Sequence, residues 1–293
     1  MPNQRLTVGR VSFNIINAGI MIAVVVLTLY PFLNILASSL SEPIYIQQGK
    51  ITIFPKGFNW KAYQLVFEFP MLGRSYLNTV VYTITGTLVS ITLTVLAAYP
   101  LSRRNMWGRK AFTTVILLPM LFSGGIIPAF LVVNALGMRD SIWAIIIPGA
   151  VTSFYVFIMR TFFEAIPQEL EEAARIDGCS HIQILLRIVL PLSLPSLATI
   201  ALFYAVAQWN SFFPAMLYLS SKSMQPIQLL LRDIVIMNDT DSVLGGTDAT
   251  ERALRGETVK YATIMAATLP ILVVYPFVQK YFVQGAMVGS VKG

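Results

Sequence analysis

The sequence predicts an all-α, polytopic membrane protein with six transmembrane helices. Apolar residues make up 56% of the chain and charged residues only 12%. A water-soluble domain carries about 25% charged residues to keep its surface solvated, so lipid is the solvent this composition suits. The second observation is length. Six stretches without Asp, Glu, Lys or Arg run Val11–Ser41, Ser75–Ser102, Ala111–Met138, Ser141–Met159, Ile188–Ser221 and Tyr261–Gln279. Crossing the hydrocarbon core takes about 20 apolar residues.

Each stretch holds a span, placed at about 13–36, 76–99, 111–134, 142–163, 192–220 and 261–282, within one transmembrane domain over 11–283. Prolines recur inside them, at Pro119, Pro128, Pro148, Pro195, Pro214 and Pro270. Membrane helices tolerate proline because neighbouring helices and hydroxyl side chains satisfy the freed backbone groups. The first stretch, preceded by Arg5 and Arg10, is about twice the length of a signal-peptide core and reads as a retained helix.

An even number of spans leaves both termini on one side. Lys and Arg divide nearly evenly between the two sides, 11 against 10, so their placement has to decide. Arg5, Arg10, Arg103, Arg104, Arg109, Lys110, Arg160, Arg175, Arg187, Lys280 and Lys292 sit in short segments next to span ends, where the positive-inside rule has force. This puts both termini, residues 1–10 and 284–293, in the cytoplasm. Outside lie Ser41–Arg74, with a short helix over Trp60–Phe67 after an irregular loop at Pro43–Gly57, and Lys222–Lys260, turn-rich at Asn238–Gly246.

Several function classes drop out. The net charge of +7 comes from scattered residues, which excludes a nucleic-acid surface and fits topogenic charge. One cysteine, Cys179, and one histidine, His181, cannot build a disulfide or a multi-histidine metal site. No Gly-Lys-Ser/Thr occurs, so the chain has no phosphate-cradling loop of its own. The spans contain no Asp, Glu or His, which argues against ion-coupled secondary transport.

The segment between spans four and five, residues 164–191, reads as a helix–turn–helix elbow. Pro167 suits a first helical turn, Gln168–Ile176 forms a helix, and Gly178 ends it in a left-handed conformation. Ser180 then caps a second helix that runs to Pro191. Within it lie Glu172, Ala173, Ala174, Gly178, Ile188, Leu190 and Pro191. Their identities and spacing resemble the EAA signature of binding-protein-dependent ABC importer permeases.

The resemblance extends along the chain. Asn78-Thr79, Ala97 to Arg103, Trp209-Asn210 and the tail Gln284–Gly293 are similar to MalG-type sugar permeases. Pro226 to Arg232 and Tyr275 to Phe282 resemble the subgroup often called LplC- or YtcP-like, associated with import of oligosaccharides, including fragments of plant or algal polysaccharides. Pro100 departs from the alanine many relatives carry.

The resemblance implies a type I ABC importer transmembrane domain in the bacterial cytoplasmic membrane. It implies that the elbow is a coupling helix docking on a cytoplasmic ATPase. The implied partners are a second, different permease, two ATPase copies and an external sugar-binding protein. It implies that this chain binds no cofactor, with ATP and Mg on the partner ATPase. The tail, through Gln284, Gly285, Gly289, Lys292 and Gly293, is implied to contact that ATPase. Gln208, Trp209, Asn210 and Ser211 interrupt an apolar helix; they either line the sugar path or hydrogen-bond between helices. The competing class is a membrane scaffold or enzyme subunit without transport.

Overall fold

A computed structural model describes residues 8–236, 256–273 and 276. The tail 284–293, most of the 275–282 motif and the loop 238–246 lie outside the described residues. The architecture is all-α, with no β-strand among the described residues. The chain divides into two compact units, Met1–Pro70 with Asp233–Leu269 and Met71–Arg232 with Pro270–Gly293.

The first unit is built on α1, Val8–Ser39. Its apolar residues are exposed on every side over most of its length, as expected of a helix whose solvent is hydrocarbon. Thr28 donates back to Val24 O at 2.8 Å, so its hydroxyl needs no partner outside the helix. The segment after α1 is more ordered than an irregular loop: α2 covers Pro43–Gln47 and α3 covers Lys61–Glu68. Asn34 clamps it by donating to Ile51 O and Thr52 O at 3.2 and 2.8 Å. The Ser39 and Tyr63 hydroxyls bond at 2.8 Å in a buried contact.

The second unit is organised around α4, Pro70–Ser102. Ser12–Ser39 and Met71–Ser102 are each long and apolar enough to cross a membrane as one helix. Three further expected spans are not single straight helices. The third divides into α5, Arg109–Leu121, and α6, Ile126–Ala135, bent by 120°. The fourth divides into α7, Ile142–Ile146 with a 3₁₀ turn to Gly149, and α8, Ser153–Glu164, bent by 58°. The Gly124-Gly125 pair lies in the first break, while Pro119 sits inside α5 just before it and Pro148 inside the 3₁₀ turn before the second; each removes a helical hydrogen bond or lowers helix propensity.

The fifth stretch is shorter than expected. After α9, Gln168–Ile176, come α10, His181–Ile184, a π-helical turn Leu185–Val189 and α11, Leu190–Leu192. An 85° bend then leads into α12, Leu194–Trp209. Beyond it are α13, Phe213–Tyr218, and α14, Ile227–Ile236. The sixth stretch is helical from 256 to 273, where the described run ends.

One end of α4 is stitched to the segment before α14. Asn78 Nδ2 donates to Ser223 O and Gln225 O at 2.9 and 3.1 Å. Tyr82 Oη donates to Met224 O at 2.8 Å, and the Ile227 N–H donates to Thr79 Oγ1 at 2.8 Å. Asp140 does similar work beside it, accepting from the Ser220 and Ser221 amides. Hydrogen bonds from Ser221 hold its carboxyl below the usual carboxylate range.

Thr79 is 1% exposed, so Thr79→Val would leave the Ile227 N–H buried without an acceptor. Such an orphan costs about 1–3 kcal/mol. A lowered midpoint in detergent thermal unfolding is expected, and an unchanged midpoint would remove this bond from the account of stability.

Candidate functional site: the elbow at Gln168–Pro191

Local sequence makes the elbow rigid. Pro167, extended at φ −55° and ψ 131°, caps α9 rather than occupying its first turn. At the other end the Cys179 N–H donates to Ala174 O at 2.9 Å and the Gly178 N–H to Arg175 O at 3.0 Å. This pair of bonds is the Schellman pattern, which requires a left-handed residue between helix and exit. Gly178 supplies it at φ +79°. Two residues later a capping box starts α10. The Ser180 N–H donates to Gln183 Oε1 at 2.8 Å, and the Gln183 N–H to Ser180 Oγ at 3.4 Å. Both helices therefore end on satisfied backbone groups, with only Asp177–Ser180 between them.

The predicted motif residues are brought into this one element, on two faces. Ala174 is buried, and Ile188 and Leu190 pack against a core of Val95, Ala98, Met159, Phe163, Ile184 and Val189. Ala174 needs its small side chain here because α9 lies close against that core. Glu172, Ala173, Gly178 and Pro191 face outward. With them stand two isoleucines that periodicity did not single out, Ile176 at 87% and Ile182 at 69% exposure. They stand one on each arm of the elbow, Ile176 at the end of α9 and Ile182 in α10.

A charged root fixes the elbow to α4. Arg103 pairs with the Glu171 carboxylate, off hydrogen-bonding geometry; their side chains are 15% and 5% exposed. The same guanidinium lies 4.7 Å from the Tyr99 ring centroid, and Tyr99 meets Phe163 edge-on at 6.3 Å. Nearby, Arg109 Nε donates to Leu101 O at 2.8 Å while its other arm pairs with Glu164, which Arg160 also holds at 3.0 Å. A cavity of 630 Å³ opens between the α4 end and the elbow, reached by Arg104, Glu172, Arg175 and His181.

Sequence reasoning passed over Glu171 in favour of its neighbour Glu172. Its partner lies 68 positions away, and no local pattern distinguishes a buried glutamate from an exposed one beside it. The strong amphipathicity of Gln168–Ile176 was the available signal.

Gln208, Trp209, Asn210 and Ser211 do not interrupt a helix near its middle; they terminate α12. Asn210 is its C-cap and donates to Val206 O at 2.9 Å. The Trp209 Nε1 is buried without a hydrogen-bond partner. Gln208 lies against α4 at Gly86, where an added Cβ would come within 2.9 Å of its amide carbon. Just below, the Thr94 and Tyr204 hydroxyls bond at 2.8 Å, and Tyr204 also accepts from the Thr152 N–H at 3.1 Å. Among the described residues no cluster of His, Cys, Asp or Glu is arranged to hold a metal.

Long apolar helices, bent helix pairs and a capped elbow rooted on one of them define an integral membrane protein. Residues 90–288 match the family described as binding-protein-dependent transport system inner membrane component, and the chain belongs to that family: it is an ABC transporter permease.

The chain is similar to protein LplC of Bacillus subtilis, at 44% identity over 97% of this chain and 96% of that one. It is similar to the polygalacturonan/rhamnogalacturonan transport system permease protein YtcP of the same organism, at 43% identity over 96% and 98%. Among solved structures it matches a chain of a bacterial ABC transporter involved in import of the acidic polysaccharide alginate. There the TM-score is 0.86, with 34% identity over 96% of this chain and 100% of that one.

Proposed function

We propose that this permease forms half of the translocation path of an ATP-driven importer of oligosaccharides, with the elbow as its lever. The observation that carries the reading is the capped, bent element displaying Glu172, Ile176 and Ile182 outward while Arg103 and Glu171 tie it to α4. In this reading both termini and the elbow face the cytoplasm, six spans cross the membrane, and a second permease completes the path. Two copies of a separate ATPase grip the elbows, bind ATP with Mg, and draw together; α4 follows because the ion pair and the core below it move with the elbow. An external binding protein delivers the sugar. The tail at Gln284, Gly285, Gly289, Lys292 and Gly293 reaches the same ATPase.

The cargo we favour is a fragment of an acidic polysaccharide, since the names of YtcP and of the alginate transporter both specify uronate-rich polymers. Gln208, Trp209, Asn210 and Ser211, at the end of α12, supply amides and an indole of the kind that recognises sugar hydroxyls and ring faces. Ile176→Asp with Ile182→Asp tests the lever. Burying one isoleucine is worth about 1.5–3 kcal/mol, so losing both should weaken ATPase binding about a hundredfold or more. Co-purification of a Walker-type ATPase with the wild-type chain, lost in the double variant, is the expected result. A wild-type chain that retains no ATPase under gentle detergent would favour the scaffold reading.

A further inference from the structure

Beside the elbow cavity lies a second, smaller one of 270 Å³, lined by Ser102, Arg103, Arg104, Arg109, Arg160 and Glu164, among others. Four guanidiniums from three chain segments converge on it. Their anionic partners do not balance them. Arg109 and Arg160 share one oxygen of Glu164, Arg103 is matched by Glu171, and Arg104 makes no ion pair among the described residues. The Arg103 Nε and Nη2 are buried without a hydrogen-bond partner. Guanidiniums in this arrangement present forked donors to phosphate oxygens.

The surroundings indicate which phosphate. Trp107, 91% exposed, stands in the turn between Arg104 and Arg109, and tryptophan collects at headgroup depth. From Arg109 onward, α5 buries no residue, and Phe112, Val115 and Leu118 are exposed at three-residue spacing along it. A basic, hydrogen-bonding cavity therefore adjoins an apolar helical wall, the two halves of a site for a headgroup and its acyl chains.

We propose that this cavity binds the phosphodiester of an anionic phospholipid, such as phosphatidylglycerol. Placing it in the inner leaflet rests on the proposed cytoplasmic side of the elbow; the binding itself does not. Lipid held there would rest against both Arg103, which ties the end of α4 to Glu171 of α9, and Glu164, which ties α8 to Arg109 of α5, and so would stiffen the root of the lever.

Native mass spectrometry of the full chain in mild detergent, offered phosphatidylglycerol and phosphatidylcholine of matched chains, reads the preference directly without substrate or ATP. A basic side chain near an anionic lipid surface raises affinity about fivefold. Arg104→Gln with Arg160→Gln should therefore reduce phosphatidylglycerol binding about twentyfold, while Arg104→Lys with Arg160→Lys keeps most of it. An unchanged thermal midpoint for the glutamine pair confirms that the loss is not misfolding; a lowered midpoint shifts the comparison to Arg104→Gln alone, where about a fivefold loss is expected.

Equal retention of the two lipids by the wild type overturns the proposal, as does a preference that survives the glutamine substitutions. Displacement of phosphatidylglycerol by equimolar inorganic phosphate reassigns the cavity to a soluble anion and overturns the lipid. Loss of the adduct whenever ATPase subunits stay bound means that protein covers the site, and also overturns it. Failure of transport in these preparations would bear on the importer reading alone.

Discussion

Replacing Gly178 by valine is expected to uncouple this permease, while replacing it by asparagine is expected to leave most transport intact. Gly178 sits at φ +79°, and a Cβ added there would meet no atom within 4 Å. Space is not the constraint; backbone conformation is. A left-handed residue with a side chain costs about 1–2 kcal/mol, and a β-branched one more, whereas asparagine enters this region readily. A penalty of that size shifts the population of the bent elbow about fivefold to thirtyfold. ATP-dependent uptake in reconstituted vesicles should therefore rank glycine, asparagine, alanine, valine in falling order. Wild-type uptake by Gly178→Val would show that the left-handed bend is dispensable.

Glu171→Ala should be the most damaging substitution in the elbow, more so than a change at the neighbouring Glu172. It strands Arg103, which is 15% exposed and anchored over Tyr99. Removing one member of a buried ion pair costs about 3–5 kcal/mol. Removing both charges together often costs little when the replacements fill the same volume. Arg103→Met with Glu171→Leu is accordingly expected to recover much of the thermal stability lost in Glu171→Ala. Detergent unfolding midpoints across the three variants measure this, and Glu172→Ala, on the exposed face, should stay within about 0.5 kcal/mol of wild type. Equal midpoints for Glu171→Ala and Glu172→Ala would mean that the root of the elbow lies elsewhere.

The elbow was legible because its determinants are local. Gly178 and Ser180 specify the termination of one helix and the start of the next within four residues, and the structure contains both devices. The spans were legible as apolar length, but not their shape. Nothing in Ala111–Met138 announces a 120° bend, since proline and glycine are compatible in lipid with either a kinked continuous helix or a break. The polar run at Gln208–Ser211 was misplaced for a related reason. Composition shows that such residues are costly at membrane depth, yet whether a helix passes through them or stops depends on Pro214 and on what packs nearby.

By itself, the sequence determined the solvent, the all-α class and the elbow, because apolar length, helix period and capping are set by residues a few positions apart. Only the tertiary structure decided which of two adjacent glutamates is buried, which arginine it meets, and which isoleucines remain outside. Those outcomes depend on charges and surfaces brought together from segments tens of residues apart. The energy of a buried pair or an exposed patch belongs to that meeting, and neither strand of sequence carries it alone.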